Sequence, residues 1–338
     1  MAMTIYDISK KAGVSIATVS RVLNGSENVR PSTRKKVMDV IDKYDYTPNA
    51  FARGMGLHSL KTIGILCADS SDLFLAKAVY FLEQELQANG YESLLCCTGY
   101  NPDIKKNYLN LILSKKVDSI ILVGSHFIGF NEDENQYIKD VSTQVPIMLL
   151  NASFDHPNVY STLCDDYGTM FEAATEMIQS GITKILYLYD SKSYSGLKKL
   201  HGFCDAMKEH NIPGFEKLIH FYDGNIEHLN EVADFVARIA TKGTSFHGIM
   251  TSDDSLAIGS IKYAQKKGIR IPEELSVMGY NNSMLTNCCT PELTSVDNRL
   301  ETQTHQLVQT LLGVLAGEEM PKKSIFSGKI IKRGTTLF

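Results

Sequence analysis

The amino-acid sequence predicts a small all-α head followed by an α/β body of two doubly wound parallel-sheet lobes. Residues 1–60 carry short helical patterns, and from Thr62 onward apolar runs of strand length alternate with amphipathic helical stretches. This alternation is typical of doubly wound parallel sheets. It covers about 270 residues, which exceeds what one sheet usually needs. We therefore expect two lobes in the body.

The head begins with two short helices joined by a tight turn. Ile8 and Ala12 share one face of the first helix, and Gly13 follows at a position where a positive φ is easily adopted. Ser15 is placed to cap the second helix, and Asn24–Gly25 is typical of a left-handed stop. A third helix is predicted to start near Pro31, a favoured first-turn residue.

Two helices joined in this way form a helix–turn–helix, whose second helix lies in the DNA major groove. The residues placed to contact base edges are Ile16 and Ala17, through thymine methyls, and Arg21, through guanine. Phosphate contacts are expected from polar and capping residues, namely Thr4, Tyr6, Ser15, Thr18, Ser20 and Asn24. Three helices packed only for their own stability are the alternative, and the head alone leaves both interpretations open.

The charge of the chain is divided unevenly between head and body. Residues 1–60 contain nine Lys or Arg against five Asp or Glu, whereas the whole chain has a net charge of −4. The body is therefore acidic. A basic head on an acidic body indicates that the head binds a polyanion.

The segment between head and body is predicted to be a hinge. Thr47 can cap a helix and Pro48 can take its first position. This helix would span about two turns, which is below the ~12 residues that an isolated helix needs for stability. Gly54 and Gly56 weaken it further. We expect a segment that is loose alone and orders when a partner holds it.

The body is predicted element by element from its apolar patterns. Strands are expected at residues 63–68, 93–97, 119–123, 147–150, 184–189, 248–251 and 275–279. Helices are expected at residues 74–89, 103–116, 167–180, 196–210, 227–241, 255–267 and 301–316.

Composition and motifs exclude several functional classes. Apolar stretches such as 120–123 fall far short of the ~18 residues of a membrane span, and the N-terminus lacks a signal pattern. Seven cysteines without CxxC spacing favour a reduced protein in the cytoplasm. The nine histidines lack metal-ligand spacing, and no nucleophile elbow, P-loop or HExxH motif is present. We expect no metal, no cofactor and no enzymatic activity.

Head and hinge together resemble the lactose-repressor family of bacterial transcription regulators. The resemblance of the head runs nearly residue for residue over Thr4–Ile8, Ala12–Ser15 and Thr18–Gly25, and that of the hinge over Tyr46–Ala50 and Ala52–Arg53. The body resembles the family more weakly, at Asp165–Asp166, Gly181, Gly202–Phe203, Asp254, Ala257, Gly259, Gly279–Asn281 and Pro291–Val296.

The resemblance implies a homodimer or tetramer on a near-palindromic operator, with a hinge helix of each subunit in the minor groove. Asn49, Ala52 and Met55 are the implied hinge contacts. Met55 stands where the family usually has a leucine that wedges a central base step; packing on the body is its alternative role. A dimer is expected, because no heptad helix follows the last predicted strand.

The resemblance also implies the domain boundaries. They are a helix–turn–helix domain at residues 1–46, a hinge at 47–60 and an effector-binding and dimerisation domain at 61–338. This last domain resembles periplasmic sugar-binding proteins. One lobe is expected at about residues 61–162 and 292–320, and the other at about 163–291 and 321–338. In the family the ligand lies in the cleft between the lobes.

Matching positions place carboxylates, amides, one ring and one lysine in that cleft: Asp72, Phe74, Asn151, Lys199, Asp253, Asn281 and Asn298. Such a set suits a sugar, which needs hydrogen bonds to its hydroxyls and a ring face to stack on. Lys199 stands where the family usually has arginine, and Asn281 where it usually has aspartate. Asp253 is equally well placed to cap a helix.

The sequence therefore predicts a DNA-binding transcriptional regulator, specifically a repressor, controlled allosterically by a small ligand. A sugar or a sugar phosphate is the expected ligand. The first alternative is a cytosolic sugar-binding protein whose head serves another partner. The second, a sugar-processing enzyme, is disfavoured by the missing catalytic motifs.

Overall fold

The computed structural model describes residues 3–23, 26, 28–46, 59–241 and 243–338. The chain divides into two compact units: one contains the residues up to Thr62 with Lys116–Asp118, and the other contains the remainder. Four predicted DNA contacts and most of the predicted hinge lie outside the described residues. The four contacts are Asn24, Asn49, Ala52 and Met55.

The first unit contains the helix–turn–helix that the sequence predicts. Its helices are α1 (Ile5–Ala12), α2 (Ile16–Leu23) and α3 (Pro31–Lys43). Thr4 and Asp7 form a capping box at the start of α1, and Gly13 ends this helix with a φ of 63°. The N–H of Thr18 donates to Ser15 Oγ over 3.2 Å at the start of α2. One apolar cluster joins the three helices through Ile8, Ala12, Val19, Val22, Val37 and Ile41.

Strands and helices alternate along the body, and the seven predicted strands and seven predicted helices are all present. The elements in chain order are β1 (Thr62–Cys67), α4 (Leu73–Ala88), β2 (Glu92–Cys97), α5 (Pro102–Ser114), β3 (Ser119–Val123), α6 (Gln136–Ser142), β4 (Ile147–Leu150), β5 (Val159–Cys164), α7 (Asp166–Gln179), β6 (Ile185–Tyr189), α8 (Tyr194–Glu209), β7 (Ile219–Phe221), α9 (Leu229–Thr241), β8 (Gly248–Thr251), α10 (Asp254–Lys267), β9 (Ser276–Tyr280), β10 (Thr294–Asp297), α11 (Leu300–Leu315), β11 (Lys323–Phe326) and β12 (Lys329–Ile331).

The strands form two six-stranded sheets, one for each lobe. Their orders are β11-β5-β4-β3-β1-β2 and β12-β10-β9-β8-β6-β7. Central strands pair in parallel, as β1 does with β3 and β8 with β9, whereas β12 runs antiparallel to β10. The first sheet packs on α4 and α11, and the second is covered by α7 and α8 on one side and by α9 and α10 on the other. The carboxyl ends of the parallel strands therefore form one edge of each lobe.

The sequence predicts that the chain crosses between the lobes near residues 292 and 321. In the structure both crossings come later. β10 pairs with β9 and so belongs to the second lobe, and β11 pairs with β5 and so belongs to the first. The predicted boundaries assigned both strands to the opposite lobes and are wrong there. The helix α11 packs on the first lobe, but the chain crosses only after β10 has ended. The sequence of a short strand does not show which sheet the strand joins, because backbone hydrogen bonds decide the pairing.

Candidate functional site

The start of α2 leaves the predicted base-contacting side chains open to solvent. Ile16, Ala17 and Arg21 are exposed, and Ile16 keeps 39% of its surface accessible although it is apolar. Tyr6 on α1 is 63% exposed. On the other side of α2, Val19 is fully buried in the core of the head. α2 thus has one face packed in the head and one free face.

Two of the predicted phosphate contacts serve as helix caps. Thr4 Oγ1 accepts from the N–H of Asp7 over 3.4 Å, and Ser15 Oγ accepts from the N–H of Thr18 over 3.2 Å. Thr4 and Ser15 are exposed, whereas Thr18 and Ser20 are half-buried. Because Ser15 is exposed, the N-terminal end of α2 remains accessible to an anion, whereas the carboxylate of Asp7 occupies the N-terminal end of α1.

A cavity of about 90 Å³ lies between the two lobes, at the carboxyl ends of strands from both sheets. Six of the seven predicted cleft residues line it: Asp72, Phe74, Asn151, Lys199, Asp253 and Asn281. The seventh, Asn298, is buried behind Asn281 and donates from Nδ2 to Asn281 Oδ1 over 3.0 Å. The volume is below the roughly 300–1,000 Å³ of ordinary ligand pockets. A sugar therefore fits this space only if the lining side chains or the lobes adjust.

Further residues, which the sequence did not predict, line this cavity. They follow β2, β3, β6 and β8, and the polar and aromatic ones are Tyr100, Ser125, His126, Asp190, Ser191, Ser193, Ser195 and Ser252. The signal that finds most of them is the rule that ligands bind beyond the carboxyl ends of parallel strands. That rule applies to every predicted strand. The resemblance to the family, in contrast, indicates only those cavity residues that stand at matched positions.

Two cavity carboxylates also cap helices. Asp72 Oδ1 accepts from the N–H of Leu75 over 2.8 Å at the start of α4, and Asp253 Oδ1 accepts from the N–H of Ser255 over 2.7 Å at the start of α10. Burial raises the pKa of Asp72. Burial and the neighbouring charge of Asp190 raise the pKa of Asp253 to about 7. Asp253 therefore caps α10 and also lines the cavity, so a ligand contact does not exclude the capping role.

Lys199 lines the cavity, but its ammonium group contacts the protein. Its Nζ donates to the backbone oxygen of Ser252 over 3.0 Å and lies 3.9 Å from the centroid of the Tyr280 ring. Behind it the buried Asp166 accepts from Ser195 Oγ over 2.6 Å and from the Tyr280 hydroxyl over 2.7 Å. Burial raises the pKa of Asp166, and the charge of Lys199 opposes this rise. Lys199 thus stabilises a carboxylate beneath the cavity.

Two cavity asparagines occupy left-handed backbone positions. The φ angle is 64° at Asn151 and 95° at Asn281, and asparagine tolerates this region better than most residues. Asn281 Nδ2 donates to Asp253 Oδ2 over 2.9 Å. An aspartate at position 281 would repel Asp253, so the asparagine suits both its backbone and its neighbour.

Aromatic rings form the wall of the first lobe. Tyr100 and His126 meet edge to face with their centroids 4.8 Å apart, and Phe74 lines the same cavity. Burial and the nearby charge of Lys105 lower the pKa of His126 to about 4, so its imidazole is neutral at pH 7. The second lobe supplies mainly hydroxyls and carboxylates. The cavity can therefore stack one face of a ring and hydrogen-bond its edge.

The two lobes are joined across the cavity by serine hydroxyls. Ser125 Oγ, after β3 in the first lobe, donates to Ser193 Oγ, before α8 in the second lobe, over 2.8 Å. Ser191 Oγ also donates to Ser193 Oγ over 2.8 Å. The bond between Ser125 and Ser193 therefore links the two lobes, whereas the bond between Ser191 and Ser193 lies within the second lobe.

A second cavity, of about 720 Å³, lies on the other side of Phe74 and Asn281. Its walls are mostly apolar and include Leu73, Tyr80, Phe81, Met284 and Leu300, together with Asn298. The smaller cavity is the candidate ligand site, because it lies at the strand ends of both sheets and its polar groups converge.

Two features are absent from the part of the chain that the structure describes. No helix there is long and apolar enough to cross a membrane. No group of three or more His, Cys, Asp or Glu side chains in those ranges could hold a metal ion.

Sequence comparison identifies both parts of the chain. The profile described as "Bacterial regulatory proteins, lacI family" matches residues 4–49, and that of a "Periplasmic binding protein-like domain" matches residues 174–336. An HTH-type transcriptional regulator of Lachnoclostridium phytofermentans is 50% identical over 99% of this chain and 100% of its own length. Catabolite control protein A of Priestia megaterium is 33% identical over 88% of this chain and 87% of its own.

Solved structures agree with these relatives. The lac repressor dimer bound to operator and the anti-inducer ONPF superposes with a TM-score of 0.89 over the full length of both chains, at 20% identity. The Escherichia coli transcriptional repressor AscG has a TM-score of 0.71 at 25% identity, over 82% of this chain and 99% of that one. The sequence relatives are transcriptional regulators and not enzymes. The chain therefore belongs to the lacI family of bacterial transcriptional regulators.

Proposed function

We propose that the protein is a repressor whose affinity for a near-palindromic operator is controlled by a sugar bound between the lobes. It acts as a homodimer in the cytoplasm. One observation carries the proposal: an exposed helix start in the head occurs in the same chain as a polar interlobe cavity. Ile16 keeps 39% of its surface exposed and is not among the buried residues of the head core. An apolar side chain at this position of a helix–turn–helix is suited to contact base edges.

Two structures of similar fold support the ligand part of the proposal. One is the lac repressor dimer bound to operator and an anti-inducer, and the other is the regulator CelR in complex with cellobiose, with a TM-score of 0.71. In this chain, Asp72, Asn151, Asp253 and Asn281 are the proposed hydrogen-bonding partners of the sugar, and Phe74 is the proposed stacking face. Asn298 acts through Asn281, to which it donates a hydrogen bond.

The proposed mechanism is a coupling free energy between the cavity and the operator. Ligand binding changes the balance between open and closed lobes, and this balance changes how well the two heads of a dimer engage their half-sites. A change of about 10–100-fold in operator affinity needs only about 1.4–2.8 kcal/mol of difference in ligand binding between the two states. Such a difference is within reach of a few hydrogen bonds.

The experiment that tests the DNA-binding role compares Arg21→Ala with the wild-type protein on selected operator sequences. Arg21 is exposed on the free face of α2. We expect its loss to weaken specific binding by about 1–3 kcal/mol and to relax preference at one base position of each half-site. Lys43→Ala, at the end of α3, removes one positive charge from the same unit and serves as the control. Unchanged base preference in Arg21→Ala would refute the assignment.

The alternative, a sugar-binding protein whose head serves another partner, predicts a different salt dependence. A head that neutralises several phosphates loses DNA affinity steeply as salt rises, because counterions are released on binding. The measurement is the slope of log affinity against log salt for the full chain. A flat slope together with sugar binding would favour the alternative.

A further inference from the structure

The charges of the interlobe cavity are unbalanced. Three carboxylates line it: Asp72, Asp190 and Asp253. Lys199 is the one Lys or Arg among the lining residues, and its ammonium group is already bound by a backbone oxygen and the face of Tyr280. His126 adds no positive charge, because burial and Lys105 lower its pKa to about 4. A ligand in this cavity therefore meets an excess of negative charge.

Asp190 is the carboxylate without a capping role in the described structure. Its Oδ1 accepts from Ser252 Oγ over 2.7 Å, and α8 is capped by the following Ser193 instead. Its charge adds to the effect of burial in raising the pKa of both Asp72 and Asp253. The fold places this half-buried carboxylate at the cavity wall although no helix end requires it.

The aromatic wall of the first lobe favours the same kind of ligand as the carboxylates do. Phe74 and Tyr100 line the cavity, and the face of an aromatic ring attracts a cation. An anion is disfavoured, because a phosphate group would meet three carboxylates and find neither an arginine nor an uncommitted lysine. The cavity walls thus select against phosphorylated sugars.

We propose that the effector carries a protonated amine, so that the cavity binds an amino sugar in preference to a neutral or phosphorylated one. The ammonium group binds at Asp190 and Asp253, and the sugar ring stacks on the aromatic wall. The inference rests on the proposed function, in which this cavity is the effector site. It specifies the chemical class of that effector.

Matched sugar pairs test the inference on the purified full-length protein. Calorimetry compares glucosamine with glucose and N-acetylglucosamine, galactosamine with galactose, and mannosamine with mannose, and glucose 6-phosphate is included as the anion. We expect at least one amine to bind about tenfold more tightly than its neutral counterpart, and the phosphate not to bind. A neutral or phosphorylated sugar that binds as tightly as every amine overturns the inference. So does the absence of binding by all amines at about 10 mM, where even millimolar affinity is detected.

A pair of variants separates a specific charge contact from the general charge of the protein. Asp190→Asn is expected to remove most of the amine preference while changing the affinity of the neutral partner less than about twofold. Asp140→Asn removes an equal charge from the exposed side of α6, outside the cavity, and should leave the preference unchanged. Equal effects of the two variants contradict the proposal.

Measurements of operator affinity with and without each sugar test the proposed function separately from the amine inference. A neutral or phosphorylated sugar that binds and alters operator affinity overturns the amine inference and leaves the proposed function standing. If the protein binds operator and no cavity ligand alters that affinity, the proposed control by ligand itself fails.

Discussion

At the scale of single residues, Asp253 has two roles that act on its ionisation in opposite directions. Capping α10 favours its charged form, whereas burial and the charges of Asp190, Asp254 and Asp72 favour its neutral form. The result is a pKa raised from the ordinary value of 3.8 to about 7. Because the folded-state pKa lies above the unfolded one, the folded state binds the proton more tightly. The associated stability is present at low pH and is lost as pH rises through about 7.

Asp253→Asn is therefore expected to stabilise the ligand-free protein at high pH. Asparagine keeps the helix cap and removes the buried charge, and the loss of the acceptor for Asn281 Nδ2 offsets part of this gain at every pH. We expect the melting temperature of the variant to exceed that of the wild type by about 2–4 °C at pH 8, for ~1 kcal/mol, and the difference to shrink toward pH 5. Asp165→Asn, at the cap of α7 outside the cavity, is the control. A stabilisation equal at both pH values would contradict this interpretation.

Lys199 shows what sequence could and could not predict about one side chain. Its position in the cavity follows from the resemblance to the family, but its partners do not. The contacts with Ser252 and Tyr280 join residues far apart in the sequence, and only the packed lobe brings them together. Asp190 was missed for the same reason. Its neighbours in the sequence carry no sign that two other carboxylates line the same cavity.

At the scale of elements, the close approach of α7 and α8 depends on one glycine. A Cβ atom on Gly202 would lie 2.3 Å from the backbone oxygen of Tyr167, and a backbone atom cannot rotate away. Gly202→Ala is expected to push the two helices apart and lower the free energy of unfolding by about 1–3 kcal/mol. Urea denaturation measures this loss. The exposed neighbour His201→Ala on the same helix should change it little, and equal losses in both variants would argue against close packing at this contact.

The elements differ in how well their sequence predicts them, and the reason is physical. β3, β4 and β8 were predicted with the bounds they have, because fully buried parallel strands read as continuous apolar runs. β7, β10, β11 and β12, with only three or four residues, were missed, and so was β5 with six. Such segments become strands by pairing with a neighbour, so their existence and their lobe depend on long-range hydrogen bonds.

At the scale of the whole molecule, ligand control requires that the lobes have two arrangements of similar free energy. The closed arrangement is held in part by the hydrogen bond between Ser125 and Ser193. A single such bond contributes about 0.5–1.5 kcal/mol, which is enough to shift a balanced equilibrium and too little to lock it. A hydrogen bond of this strength between the lobes suits a cleft that a ligand must enter and leave.

Ser125→Ala removes this hydrogen bond and leaves the helix cap intact, because Ser193, and not Ser125, caps α8. The open arrangement should gain population by about 2–10-fold, the factor that corresponds to one hydrogen bond. Amide hydrogen exchange of the segments around residues 124–127 and 191–195 should then speed up by a similar factor, because exchange follows the population of the open form. Ser114→Ala, which removes a hydroxyl bonded to Leu111 at the exposed end of α5, is the matched control. Unchanged exchange in Ser125→Ala would show that the lobes are held closed by contacts other than this hydrogen bond, and the cavity would then have to open by a different movement to admit its ligand.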